Sequence, residues 1–136
     1  MRLAADANAF ISALIRKGVT RRLWFHPRVR LFAPEFILTE VVRHENGLSR
    51  KFRGPLPEFR RLRGLLLMQA EVVPDAALKP FLHAAAALTE DPDDWLYLAC
   101  ALYADADLWS HDKGFLKQKR VKAWTTEELG REIGLL

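Results

Sequence analysis

The stretch from Asp93 to Phe115, DDWLYLACALYADADLWSHDKGF, constrains this chain more than any other. It reads as a helix that starts on acids and continues apolar to Tyr103. A short apolar strand, Leu108 and Trp109, then delivers Ser110 and Asp112 at its carboxyl end. The first turn of a helix and the tip of a strand are the two places where an α/β fold holds carboxylates rigidly at the mouth of a crevice. Asp94 and Asp112 therefore call for partners from elsewhere in the chain.

The amino-terminal part supplies the same grammar. Leu3, Ala4 and Ala5 form an apolar run that stops at Asp6, and Asn8 stands where the N-cap of the helix AFISALIRKG belongs. Phe10, Ile11, Leu14 and Ile15 share one face of that helix, which ends on Arg16, Lys17 and Gly18. A short helix is predicted over Thr20 to Phe25, and a strand of Val29, Leu31 and Ala33 ending at Pro34. The segment EFILTEVVRHE predicts a helix that turns Phe36, Ile37, Val41 and His44 inward and carries Glu40 beside apolar neighbours.

From Asn46 to Pro57 polar residues, glycines and prolines predict a connection or a shortened helix end. LPEFRRLRGLLLMQ resumes a helix with Phe59, Leu62, Leu65 and Leu66 on one side, Ala70 to Val73 gives a third strand, and Pro74 and Asp75 start a helix that fades at Thr89. Val121 to Trp124 predicts an edge strand, and TTEELGREIG a capping box from Thr126. Strands alternating with helices imply the α/β class: a three-layer α/β/α sandwich with a mostly parallel central sheet, built as one domain over residues 1–136.

Of the 136 residues half are hydrophobic, enough for a buried core. No apolar run approaches the roughly 20 residues of a membrane span, and the start lacks the pattern of a secretory signal, so no membrane association is expected. Cys100 is the one cysteine, which excludes an intramolecular disulfide and suits a reducing cytoplasm. A net charge of +4 with 21 Lys and Arg suits a polyanionic partner.

Asp6, Glu40, Asp94 and Asp112 then form a candidate constellation. In a parallel sheet all carboxyl ends face one edge, so Asp6 and Asp112 converge there, and helix starts such as that of Asp94 share the edge. Carboxylates crowded in this way repel, by roughly 4 kcal/mol at 4 Å and an effective dielectric near 20. A divalent cation removes the repulsion, and all-oxygen ligands favour Mg²⁺ or Mn²⁺ over Zn²⁺. Such an ion binds phosphate oxygens and acidifies a water for attack on a phosphodiester.

The same residues carry a resemblance. LAADANAFISALI with Asp6 and Asn8, PEFILTEVV with Glu40, DPDDWLYLACAL with Asp94, and DLWSHDKGF with Ser110 and Asp112 together resemble the motifs of the PIN domain (PilT N-terminus) family over nearly the whole chain. The resemblance implies an endoribonuclease with Asp6, Glu40, Asp94 and Asp112 as catalytic ligands of Mg²⁺ or Mn²⁺ and with Asn8 and Ser110 supporting them or the substrate. It also implies RNA as substrate and, in the VapC manner, a toxin with an antitoxin protein as partner, here expected as a homodimer. Gly114 departs from the pattern, since many members carry a further acid near that position.

Other readings compete. A catalytically silent PIN-like module that binds RNA or protein would share the fold, and phosphoryl transfer on a small molecule would recruit Lys113. Asp105 and Asp107 read as solvated loop acids, and His111 as a surface histidine or a phosphate contact. The basic run Arg50, Lys51, Arg53, Arg60, Arg61 and Arg63 suits either a phosphate backbone or a solvated face. Trp24, Trp95, Trp109 and Trp124 sit in apolar patterns that suit a core or a subunit interface more than base-stacking platforms.

Overall fold

The computed structural model describes residues 1–136, the side chain of Lys113 excepted; the phosphoryl-transfer reading of Lys113 thus lies outside the described residues. In chain order the elements are β1 (Arg2–Ala5), α1 (Ala7–Ile15), α2 (Val19–Trp24), β2 (Arg30–Pro34), α3 (Phe36–Arg43), α4 (Glu45–Phe52), α5 (Leu56–Met68) and β3 (Ala70–Val73). There follow α6 (Asp75–Leu78), a 3₁₀ turn (Lys79–Phe81), α7 (Leu82–Ala86), α8 (Pro92–Ala104), β4 (Asp107–Trp109), α9 (Lys113–Lys117), β5 (Ala123–Trp124) and α10 (Thr126–Ile133).

The strands form one parallel sheet in the order β3-β2-β1-β4-β5. Leu3 to Ala5 of β1 are fully buried because β1 is central and both faces of the sheet are covered, so its apolar residues run on without alternation. Their side chains still alternate between layers. Leu3 and Ala5 join Leu31, Ala33 and Trp109 under Phe10 of α1, Trp24 of α2, Ile37 of α3, Phe59 of α5 and Leu129 of α10. Ala4 joins Phe32 and Leu108 under Leu78 of α6, Ala85 of α7 and Leu98 of α8. The expected three-layer α/β/α sandwich is the result.

The first layer is organised around Trp24. Phe10 meets its ring edge-on at 5.4 Å, Trp109 lies at 5.6 Å, and its Nε1–H donates to the Leu66 carbonyl at 2.8 Å, so the buried indole leaves no polar group unpaired. Trp109 likewise donates to Thr126 Oγ1 at 3.0 Å. Both rings are core, as one branch of the expectation has it.

Several local expectations are corrected. Asp6, not Asn8, caps α1: its side chain accepts the Ala9 N–H, and Asn8 lies exposed inside the first turn. The segment after His44 is a helix, α4, since Leu48 is buried and Glu45 pairs with Arg60 at 2.8 Å and Arg63 at 3.3 Å across on α5. His44 itself faces outward with its side chain 55% exposed, and Leu65 is exposed too. The helix expected after Pro74 breaks at Lys79–Phe81, where Pro80 cannot donate to the α ladder.

The capping box of α10 is centred on Thr125, one residue earlier than expected, because Glu128 is the residue that reaches back to the cap. Thr125→Ala is expected to lower stability by about 1 kcal/mol without affecting the sheet edge, as a urea titration would read.

Candidate active site

From β1 the chain progresses outward through β2 to β3, and it then returns to place β4 and β5 on the other side of β1. Such a reversal opens a crevice at the carboxyl ends of the two neighbouring strands. Asp6 follows β1 directly, and Ser110 to Asp112 follow β4. The ladder extends one residue past each strand, with Asp6 N donating to the Trp109 carbonyl at 3.2 Å and Ser110 N to the Trp124 carbonyl at 3.0 Å. The two strand-end segments are thereby fixed against each other.

A chain of hydrogen bonds joins them. Asp6 is 3% exposed; its Oδ1 accepts from Ala9 N at 2.8 Å, and its Oδ2 accepts from the hydroxyl of the fully buried Ser110. Ser110 Oγ in turn accepts from Asp112 N at 2.9 Å, and Asp112 Oδ1 accepts from Gly114 N at 2.8 Å. Ser110 therefore orients Asp6 and the Asp112 backbone together, from behind the crevice. Burial raises the Asp6 pKa above the ordinary value; the Ser110 and Ala9 hydrogen bonds and the nearby His111 offset it only partly, and Asp112 adds to it.

Asp94 arrives on the first turn of α8, where Asp91 is the N-cap. It is buried, at 7% exposure, and its carboxyl is pushed up to about 6. Burial is the main cause, followed by the charges of Asp112, Asp91, Asp6 and Asp93. The helix N-terminus on which it stands favours a carboxylate and so acts against these two causes. Glu40, half-buried on α3, pairs at the rim with Arg43 at 3.6 Å and His44 at 3.5 Å.

These acids line one cavity of about 390 Å³. Its walls include Asp6, Asn8, Glu40, Asp94 and Asp112, all singled out in the sequence, together with Asp91, Asp93, Arg43 and Tyr97, which were not. The acid run before Trp95 was the available signal for Asp91 and Asp93: once the start of α8 faces the crevice, its cap and first turn do so as a group. Tyr97 lies one helical turn beyond Asp94 on the same face. Its hydroxyl is buried near the Ala7 amide without a well-formed hydrogen bond, and burial lifts its pKa well above the ordinary phenol value.

Six carboxylates around one small cavity, with Arg43 the cation among its lining residues, make a donor set of hard oxygens. That chemistry fits Mg²⁺ or Mn²⁺. Among the described residues no three Asp, Glu, His or Cys side chains are grouped tightly enough to hold an ion as they stand, and Glu40 is turned toward Arg43 and His44. Closing ligands round an ion therefore requires side-chain rotation, Glu40 first.

The remaining candidates do not line this cavity. Asp105 ends α8 in the left-handed region at φ 49°, and Asp107 accepts from Trp124 Nε1 at 2.8 Å. His111 lies exposed on the surface with Nε2 2.7 Å from Thr126 Oγ1. In the basic run, Arg60 and Arg63 serve Glu45.

A family model described as PIN domain matches residues 5–134. No curated protein sequence matches the chain. Among solved structures, PAE2754 from Pyrobaculum aerophilum is similar with a TM-score of 0.72 at 16% identity, covering 100% of this chain and 91% of that one. VapBC2 from Rickettsia felis, solved bound to a DNA fragment from its promoter, is similar with a TM-score of 0.65 at 13% identity, covering 92% of this chain and 98% of that one. At such identities the likeness is one of fold.

Proposed function

The chain belongs to the PIN domain family, and on that premise we propose that it is a divalent-metal-dependent endoribonuclease whose site is the carboxylate cavity. PIN domains are in general nucleases and typically use divalent metals. The observation that carries the reading is the meeting of Asp6 and Asp112, far apart in sequence, at the switch point of the sheet, with Asp94 and Glu40 on the walls of the same cavity.

In this proposal Asp6, Glu40, Asp94 and Asp112 hold Mg²⁺ or Mn²⁺. When bound, the ion supplies positive charge for phosphate oxygens and acidifies a water for attack on the phosphodiester. Asp6 enters the site already oriented, because both of its oxygens are hydrogen-bonded. Asp94, raised to about 6 in the absence of a cation, is already largely ionised at neutral pH, and positive charge beside it extends that ionised form to lower pH. Asn8, exposed at the cavity mouth, is placed to meet the substrate.

Ser110 acts through Asp6. Ser110→Ala leaves Asp6 Oδ2 without its hydroxyl donor and is expected to weaken Mn²⁺ binding or RNA cleavage by about 10- to 100-fold, the usual penalty for losing a group that orients a ligand. Incubating the protein with total RNA in Mn²⁺ or in chelator tests the function itself. Cleavage that needs Mn²⁺ supports the proposal, and intact RNA under both conditions rejects it.

The same proposal includes a cytoplasmic toxin paired with an antitoxin protein, acting as a homodimer. The similar fold of VapBC2 makes a toxin-antitoxin pair the natural setting, and a small reading frame immediately upstream is the expected genetic sign. No helix is long and apolar enough to cross a membrane among the described residues. A second reading, a silent module that binds RNA or protein, draws on one observation: the acids are not grouped as an ion would hold them among the described residues. Mn²⁺ titration separates the two, since a silent module gives no saturable binding.

A further inference from the structure

A second cavity, of about 800 Å³, opens beside the first. The two share Asp91, Asp94 and Asp112, so a molecule held at the carboxylates extends directly into the second space. The far walls differ in character: Leu88 and Trp95 contribute apolar surface, Thr89 a hydroxyl, and Lys117 a cation. Trp95 is half-buried, and its Nε1–H donates to the Thr89 carbonyl at 2.9 Å. The indole is thus fixed in the wall with its polar edge already satisfied.

Gly114 lines the junction near the carboxylates. A Cβ there would stand 3.2 Å from Asp112 Oδ1, a tight contact, and 3.5 Å from Asp94 Oδ2, an ordinary one, so even an alanine would fill space against the two acids that both cavities share. Glycine keeps the passage open.

The charge distribution selects the occupant. Glu90, Asp91, Asp94 and Asp112 outnumber the exposed Lys117 in the lining and disfavour a free phosphate filling the space, whereas a flat, uncharged ring with exocyclic donors suffers no such repulsion. Nucleobases stack on aromatic side chains and donate from exocyclic amines to carboxylates. The space falls within the size range of small-ligand pockets. Resting on the nuclease reading of the first cavity, we propose that the second is a subsite for the nucleobase next to the scissile phosphate, with Trp95 as its stacking wall and Lys117 contacting the following phosphate.

The test uses hexanucleotide RNAs in which each position in turn is abasic, titrated against the protein in Ca²⁺. One position is expected to lose about ten-fold in affinity, the scale of one lost base stack. In Trp95→Leu the intact RNA should bind more weakly by a similar factor, and the abasic penalty at that position should vanish, as a double-mutant cycle requires of two groups in contact. Lys117→Ala, an exposed substitution, should weaken binding of every RNA and flatten its salt dependence. As a check that does not depend on the folding of Trp95→Leu, 2-aminopurine at the sensitive position should lose fluorescence on binding to the unaltered protein.

An equal, small penalty at every position would overturn the subsite, as would a penalty that persists undiminished in Trp95→Leu or 2-aminopurine that stays bright. RNA cleavage that requires Mn²⁺ would still stand in those cases. Failure of every RNA to bind would instead remove the reading on which the subsite rests.

Discussion

Asp112→Asn is expected to reduce RNA cleavage by on the order of 10³-fold or more while leaving the fold intact. The amide keeps the oxygen that accepts the Gly114 N–H at 2.8 Å, and the backbone hydrogen bond from Asp112 N to Ser110 Oγ is untouched, so the turn after β4 has no reason to move. What disappears is one full negative charge at the cavity. If that charge helps hold a cation worth several kcal/mol to the transition state, its removal has an effect of that size. Turnover in Mn²⁺ of the variant against the unaltered protein, with near-ultraviolet circular dichroism to check packing, decides the matter; undiminished turnover would take Asp112 out of the site.

Asp94→Asn should do something less intuitive, which is to stabilise the cation-free protein. Asp94 in the fold titrates at about 6 against an ordinary 3.8. The folded state therefore binds more protons than the unfolded chain between those two values, and stability must fall as pH rises through that window. Stability is highest below about pH 4, declines toward pH 6, and stays reduced above it. The shift corresponds to at most about 3 kcal/mol at neutral pH, and solvent at the open side of the cavity reduces that figure. Asn carries no charge, so the variant should lose this part of the pH dependence and melt several degrees higher at pH 7 in chelator.

Saturating Mn²⁺ reverses the order. The unaltered protein gains about 4.1 kcal/mol at a thousand times its dissociation constant, more than the ceiling on the Asp94 penalty, and the variant gains little. Thermal melts at pH 4.5 and 7, with Mn²⁺ or with chelator, give the comparison. A variant that is no more stable than the unaltered protein at pH 7 in chelator would show that the acids do not strain the fold.

The candidate site was legible because its parts lie where simple rules operate. An apolar run that ends on an acid marks a strand tip, which located Asp6 and Asp112. An acid heading an apolar helix located Asp94. Glu40 was conspicuous as a charge between the apolar Ile37 and Val41. What pattern alone did not settle was competition between equivalent groups. Asp6 and Asn8 are both good caps, and only the approach of Ser110 shows Asp6 doing two jobs at once.

Helix α4 was missed for a different reason. Its polar, glycine-bearing sequence has little intrinsic drive to be helical, and Leu48 in the core together with Glu45 against Arg60 and Arg63 imposes the conformation from outside. Asp91, Asp93 and Tyr97 were missed because their inclusion depends on which way the start of α8 faces, a property of the packed sheet. The second cavity has the same origin: Trp95 and Lys117 are 22 residues apart in number and meet only because β4 follows α8 into the sheet.

The most direct test of the central claim is a calorimetric titration of Mn²⁺ into the cation-free protein at pH 7. The carboxylate cavity predicts saturable heat from the unaltered protein, lost in both Asp6→Asn and Asp112→Asn, which remove charge from opposite sides of the β1 and β4 junction. Heat that is absent from the unaltered protein, or that survives both substitutions, would contradict a cation site at that junction.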